Sequence, residues 1–172
     1  MRKALMIGAI MLASVVQAQE AEAPMTPERI AAIALALDPD AAPGGGGISL
    51  TINDVPVLIV MDEVANRMRA MVPIRSAEGM TEDEMARVMQ ANFDTALDAR
   101  YAVARGQLWG VFIHPLAELE RDQLISGIGQ TVNIALTYGT LYTGGAVQFG
   151  AGDSGDLQRE LLEDLLERGQ DI

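Results

Sequence analysis

Cysteine is absent from this 172-residue chain, and lysine, histidine and tryptophan occur once each, as Lys3, His114 and Trp109. With no cysteine there is no disulfide framework and no thiolate to serve as ligand or nucleophile, so stability has to come from a packed core. A lone histidine cannot assemble a multi-histidine zinc site. Lysine confined to position 3 excludes a Schiff-base lysine and a GxxxxGK phosphate loop from the rest of the chain. Positive charge is scarce: 12 Lys and Arg face 24 Asp and Glu, a formal net charge of -12. Such a surface repels nucleic acid and anionic lipid and favours solubility. Nowhere does the sequence hold the roughly 20 consecutive apolar residues that a bilayer-spanning helix needs.

What the chain does have begins at its amino terminus. Arg2 and Lys3 precede an uncharged stretch from Ala4 to Val16, and Gln17 and Ala18 complete the charged, apolar, small-residue order that a signal peptidase reads. Residues 1–18 are therefore predicted to be a cleaved secretory signal, with no cysteine behind it for a lipid anchor. The mature product is expected in the periplasm or secreted, without a membrane span. Loss of Arg2 and Lys3 makes it more acidic still. Residues 19–25 are acidic and Ala-rich and are predicted to form a tether.

One α+β domain is predicted over residues 26–142. Thr26 and Pro27 read as a helix start, and Ile30, Ile33, Ala34 and Leu37 fall on one helical face. Pro43 with Gly44 to Gly47 reads as a flexible connection. The period then becomes two. Ile48 to Ile52, Val55 to Met61 and Asn66 to Ile74 predict a three-stranded antiparallel meander turning at Asn53-Asp54 and near Glu63. Thr81 and Glu84 predict a capping box ahead of a helix carrying Met85, Val88, Met89, Phe93 and Ala96. Arg100 to Ala104 and Gln107 to His114 flank Arg105-Gly106 as a two-stranded hairpin. A long helix follows from Leu119 to about Tyr138, with Leu124, Ile128, Val132, Ala135 and Tyr138 as its buried stripe. Residues 143–156 are Gly-rich and predict a linker, and residues 157–168 a C-terminal amphipathic helix that docks on its own domain or on a partner.

Little of this sequence points to chemistry. Gly152-Asp153-Ser154-Gly155 matches the loop around the nucleophile of trypsin-like proteases. However, Asp156 breaks the pattern, His114 is the sole base on offer, and Ser154 falls in the predicted linker. His114 is expected to play a structural part at its strand end. Asp38 with Asp40, and Asp153 with Asp156, lack calcium-loop spacing and read as solvated turns. Arg67 and Arg69 share a strand face and suit an anion, although pairing with carboxylates is their commoner use on an acidic protein. Phe93, Tyr101, Trp109 and Phe112 are expected in the core. No catalytic residue, cofactor or metal site is predicted.

The order helix, three strands, helix, two strands, long helix resembles the Tir-chaperone (CesT) type of class I type III secretion chaperones and the related YbjN-like domains. The resemblance is carried by the strand pair at Ile48–Ile52 and Val55–Met61, by Met89 with Asn92, by the hairpin at Arg100–Ala104 and Leu108–Phe112, and by Pro115-Leu116 leading into the long helix. It covers about residues 26–142. What it implies is a homodimeric, non-catalytic fold that holds an extended segment of another protein, and the export signal separates this chain from the family's cytoplasmic task. On that reading the partner-binding candidates are Ile30, Ile33 and Leu37 of the first helix and Met85 and Met89 of the second, together with a sheet edge. Met68 and Met71 would add an adaptable character. A small-ligand or signal-sensing regulator domain with a closed pocket between sheet and long helix is the alternative, and an unrecognised hydrolase a third. Mass spectrometry of the chain from its native compartment should find a mature terminus at Gln19; an uncleaved chain would contradict the export reading.

Overall fold

A computed structural model of the chain describes residues 22–94, 97–139 and 155–171; the predicted signal, Ser154 and most of the predicted linker lie outside them. Thr26 opens helix α1 (Pro27–Leu37). Its backbone is extended, its Oγ1 accepts from the Arg29 N–H at 3.3 Å, and Pro27 occupies a position that needs no N–H. Ile30, Ile33, Ala34 and Leu37 are its buried side. The expected tether is fixed at its last residue: Met25 is buried, and its N–H donates to the Ala117 carbonyl at 3.3 Å.

The stretch expected to be a flexible connection is instead a hairpin between β1 (Ala42–Gly44) and β2 (Gly47–Ile52). Gly45 and Gly46 both take positive φ, 59° and 83°, which a tight turn between twisted strands requires. Pro43 is tolerated because β1 is an edge strand with no second neighbour to donate to. Asp38, just past α1, accepts the N–H groups of Asp40 at 3.0 Å and Thr51 at 2.7 Å, tying the helix end to β2.

The meander and the second hairpin merge into one antiparallel sheet. Strands β3 (Val55–Asp62), β4 (Arg67–Ser76), β5 (Arg100–Ala104) and β6 (Gln107–His114) complete the order β1-β2-β3-β4-β6-β5. The join is the β4–β6 pairing, which runs from Met68 opposite His114 to Ser76 opposite Gln107. Pro73 sits inside β4 without breaking it, because β3 pairs only as far as Met71 and the register shifts just after Pro73. Asn53-Asp54 and Arg105-Gly106 form the expected turns with positive φ at both residues of each.

Helix α2 (Glu82–Asp94) begins with the reciprocal cap read from the sequence: Thr81 N–H donates to Glu84 at 2.9 Å, and Glu84 N–H to Thr81 Oγ1 at 3.1 Å. The Thr81 N–H holds the Glu84 carboxyl below its usual pKa range. Val88 and Ala91 join Ala99, Tyr101, Leu108 and Ile134 in a small satellite core. Phe93 does not: it is 71% exposed, contrary to the expected core placement.

Helix α3 (Arg121–Leu136) departs furthest from expectation. Instead of one buried stripe, almost its whole circumference is buried from Leu124 to Ile134. The sheet lies on one side of it and helix α4 (Gly155–Arg168) on the other, with Leu161 and Leu165 of α4 in the main core. The C-terminal helix thus docks on its own domain. Close approach on both sides depends on missing side chains. A Cβ at Gly127 would lie 2.5 Å from the Phe112 ring, and one at Gly129 2.6 Å from Leu162. The buried polar groups of α3 are all engaged: Thr131 Oγ1 donates to the Gly127 carbonyl at 2.6 Å, and Asn133 Nδ2 to Gln158 of α4 at 3.3 Å. Gly127→Ala should lower unfolding stability by about 1–3 kcal/mol through overpacking against Phe112. Urea denaturation would check this, and an unchanged midpoint would contradict the tight α3–sheet contact.

Candidate functional site

Three of the five predicted binding residues are core. Ile30, Ile33 and Leu37 are at most 2% exposed and pack with the inner sheet residues, so they offer no surface to a partner in this structure. Their i, i+3, i+7 spacing marks the face of α1 that covers the sheet, which the same pattern signals whether a partner exists or not. Met85 is partly buried against the satellite core, whereas Met89 is 49% exposed and forms an apolar ridge with Phe93 one turn further on. Met68 is buried, and Met71 is partly exposed on the opposite side of the sheet.

That opposite side is the larger feature. The strand registers place Leu58 and Val60 of β3, Arg67, Arg69 and Met71 of β4, Trp109, Val111 and Ile113 of β6, and Arg100 and Ala102 of β5 on one face. The alternate residues, including Ile59, Ala70 and Phe112, point to the helices. None of the apolar side chains on the outer face, Trp109 among them, joins either core cluster, and the helices lie on the inner side, α4 there through α3. Among the described residues the outer face is therefore bare. Two shallow grooves cross it. One, about 420 Å³, runs between Val60, Arg67, Arg69 and Ile113; the other, about 430 Å³, between Pro56, Leu58, Pro73 and Trp109.

Arg67 and Arg69 share this face as the sequence predicts, but neither is within 4.0 Å of a carboxylate among the described residues. Arg67 donates to the Asn66 carbonyl at 2.8 Å. The Asn66 amide, with a smaller contribution from the charge of Arg67, holds Glu118 below its usual pKa range. Arg100, across β6, donates to the Ala99 carbonyl at 2.7 Å.

A third groove, about 580 Å³, lies where β6 meets the start of α3, lined by Asp98, Arg100, Phe112, His114, Asp122 and Ser126. It is an open cleft and not the closed pocket expected of a sensor. His114 has a structural setting here: Nδ1 is 2.8 Å from the Pro115 carbonyl, and its ring stacks on Phe112 with centroids 6.0 Å apart. Gln130 of α3 shapes the same corner, its Oε1 accepting the Asp98 N–H at 2.7 Å and the Ala99 N–H at 3.2 Å.

The β5 edge is partly closed. Asn92 of α2 accepts the Tyr101 N–H at 2.7 Å and donates to the Tyr101 carbonyl at 3.2 Å, so its side-chain amide occupies the place a neighbouring strand would take. The next outward main-chain pair belongs to Val103, two residues on. Asn92 stands out in the sequence only as part of the family pattern; its plugging role depends on α2 lying beside β5, which no local signal shows.

No protein-family model and no curated protein matches the chain. Solved structures do. A chain of the ExsC–ExsE complex is 14% identical with a TM-score of 0.40, over 51% of this chain and 68% of that one. A chain of the HopA1–SchA chaperone–effector complex is 9% identical with a TM-score of 0.46, over 57% and 79%. A chain from the complex of the Yersinia pestis type III secretion chaperone SycH with a stable fragment of YscM2 is 14% identical with a TM-score of 0.47, over 63% and 98%. The α+β class anticipated from the sequence stands on the helices and the antiparallel sheet described above.

Replacing Asn92 with Ala should cost about 1–2 kcal/mol, as two part-buried bonds to the edge strand β5 are lost. Hydrogen exchange at the Tyr101 amide should quicken in the same variant; unchanged exchange there would show that Asn92 does not hold the edge.

Proposed function

We propose that the mature chain is an exported, non-catalytic protein-binding module, chaperone-like in holding an extended segment of a partner. The observation that carries this reading is the bare outer sheet face. Leu58, Val60, Met71, Val111 and Ile113 present apolar surface across three adjacent strands, a patch of the kind that marks an interaction site, and none of the described residues covers it. The exposed Met89–Phe93 ridge of α2 supplies a second apolar strip. Export is supported by the order of charged, apolar and small residues over positions 1–18. Homodimerisation is part of the same proposal, with the exposed Met89–Phe93 ridge as the surface it would cover.

A second reading, a small-ligand sensor, draws on the cleft between β6 and α3, where Arg100, Asp98, Asp122 and His114 converge on one apolar wall. The two readings separate cleanly. Titration with a permanently unfolded, carboxymethylated polypeptide should shift the methyl resonances of Met71, Val111 and Ile113 and leave those of Ile59 and Ile128 in place. Unmoved outer-face methyls, with a metabolite-dependent rise in melting temperature, would favour the sensor and sink the binding module.

A further inference from the structure

The outer face is not uniformly apolar, and its charge is of the wrong sign for this protein. In a chain of net charge -12, its β4 end carries Arg67 and Arg69 with one carboxylate on the neighbouring strand, Asp62, opposite Arg67 in the β3–β4 register; Asp38 and Asp40 line the second groove at the far side of the face, and Glu118 feels the charge of Arg67. Asp62 is engaged locally, accepting the Ala65 N–H at 2.9 Å. The Arg69 guanidinium makes no hydrogen bond or ion pair among the described residues, while five other arginines of the chain are paired with carboxylates. An acidic protein has carboxylates in excess. Arg67 and Arg69, two residues apart on β4 beside apolar Val60 and Ile113 and with no carboxylate within 4.0 Å among the described residues, give that surface a defined complement.

We infer that the outer face takes an extended segment of a partner protein in which alternate residues are acidic and then aliphatic; this rests on the binding-module reading above and names the partner's chemistry. The layout follows the strands. Along β4 the face runs Arg67, Arg69, Met71, then Pro73, at the two-residue repeat of about 6.8 Å. Flanking positions are apolar along this length, Val60 and Ile113 beside Arg69 and Leu58, Val111 and Trp109 beside Met71 and Pro73, so the change from charge to apolar surface is carried by β4 itself. A segment laid along β4 therefore meets guanidinium groups with its first two downward side chains and apolar surface with the next two. Carboxylates suit the first pair because Arg presents a planar fork that matches them in a bidentate way. The groove of about 420 Å³ between Val60, Arg67, Arg69 and Ile113 is where they enter.

The test uses the mature chain and three synthetic peptides followed by fluorescence anisotropy. One has Glu at two alternate positions and Leu at the next two, with Ser between; in the others Lys or Ser replaces Glu. The Glu peptide should bind most tightly, about tenfold more so than the Ser peptide, and should weaken as salt is raised. Arg67→Glu combined with Arg69→Glu should abolish that advantage. Arg87→Glu combined with Arg105→Glu, the same charge change elsewhere, should alter it by no more than about twofold. Thermal melts of both double variants confirm that these exposed substitutions leave the fold intact. Equal binding of the Glu and Ser peptides, or Glu binding that survives the Arg67/Arg69 change, overturns the inference while leaving a protein-binding face in place. Binding of none of the three removes both. Self-association of the chain alone, lost on the Arg67/Arg69 change, would give the face to a second copy and overturn the inference as well.

Discussion

The whole arrangement depends on a helix that is buried on every side. Helix α3 lies between the inner sheet face and α4, and its interior positions have no solvent-facing stripe from Leu124 to Ile134. A helix in that position needs two things: short distances to both neighbours, and partners for each polar group it carries inside. Gly127 and Gly129 meet the first need by letting the Phe112 ring and Leu162 approach the helix backbone. Gln130, Thr131 and Asn133 meet the second through Asp98, Gly127 and Gln158. These bonds also position the rest. Gln130 sets the entry to β5, and Asn133 fixes the depth at which α4 docks.

With both α1 and α3 used to cover one side of the sheet, and α4 used to cover α3, the described chain has no element left for the other side. This asymmetry separates the residues that hold the fold from those left facing outward. The residues on the inner face are committed to the core, including Ile30, Ile33 and Leu37 of α1. The outer face is free to vary in composition, and here it combines aliphatic side chains with guanidinium groups.

Much of the fold was legible because local signals were strong. The Thr81/Glu84 cap, the Thr26-Pro27 start, and the turns at Asn53-Asp54 and Arg105-Gly106 are each set by a few adjacent residues, and the structure has them all. The hairpin at Gly45-Gly46 was hidden because a run of four glycines carries no side chain to show strand alternation. The site was less legible for a different reason. Periodicity shows that a face is apolar but not what it meets, so the α1 stripe suggested a partner where the sheet itself is the neighbour. The continuous run from Val55 to Met61 did hold the missing signal: a strand apolar on both faces needs two covers, and only one is found among the described residues. Phe93 was misplaced because α2 buries only the narrow side carrying Val88 and Ala91.

The two ends of the sheet are worth setting beside its open face. One ends in a three-residue strand containing Pro43, and the other has its Tyr101 groups occupied by the Asn92 amide. Neither is a good template for adding another chain by main-chain bonding. A protein with so large an uncovered β surface would otherwise be exposed to fibrillar growth at high concentration. With both rims made poor templates, contact between molecules is shifted toward side chains, where the identity of the partner matters and stacking without limit is not favoured.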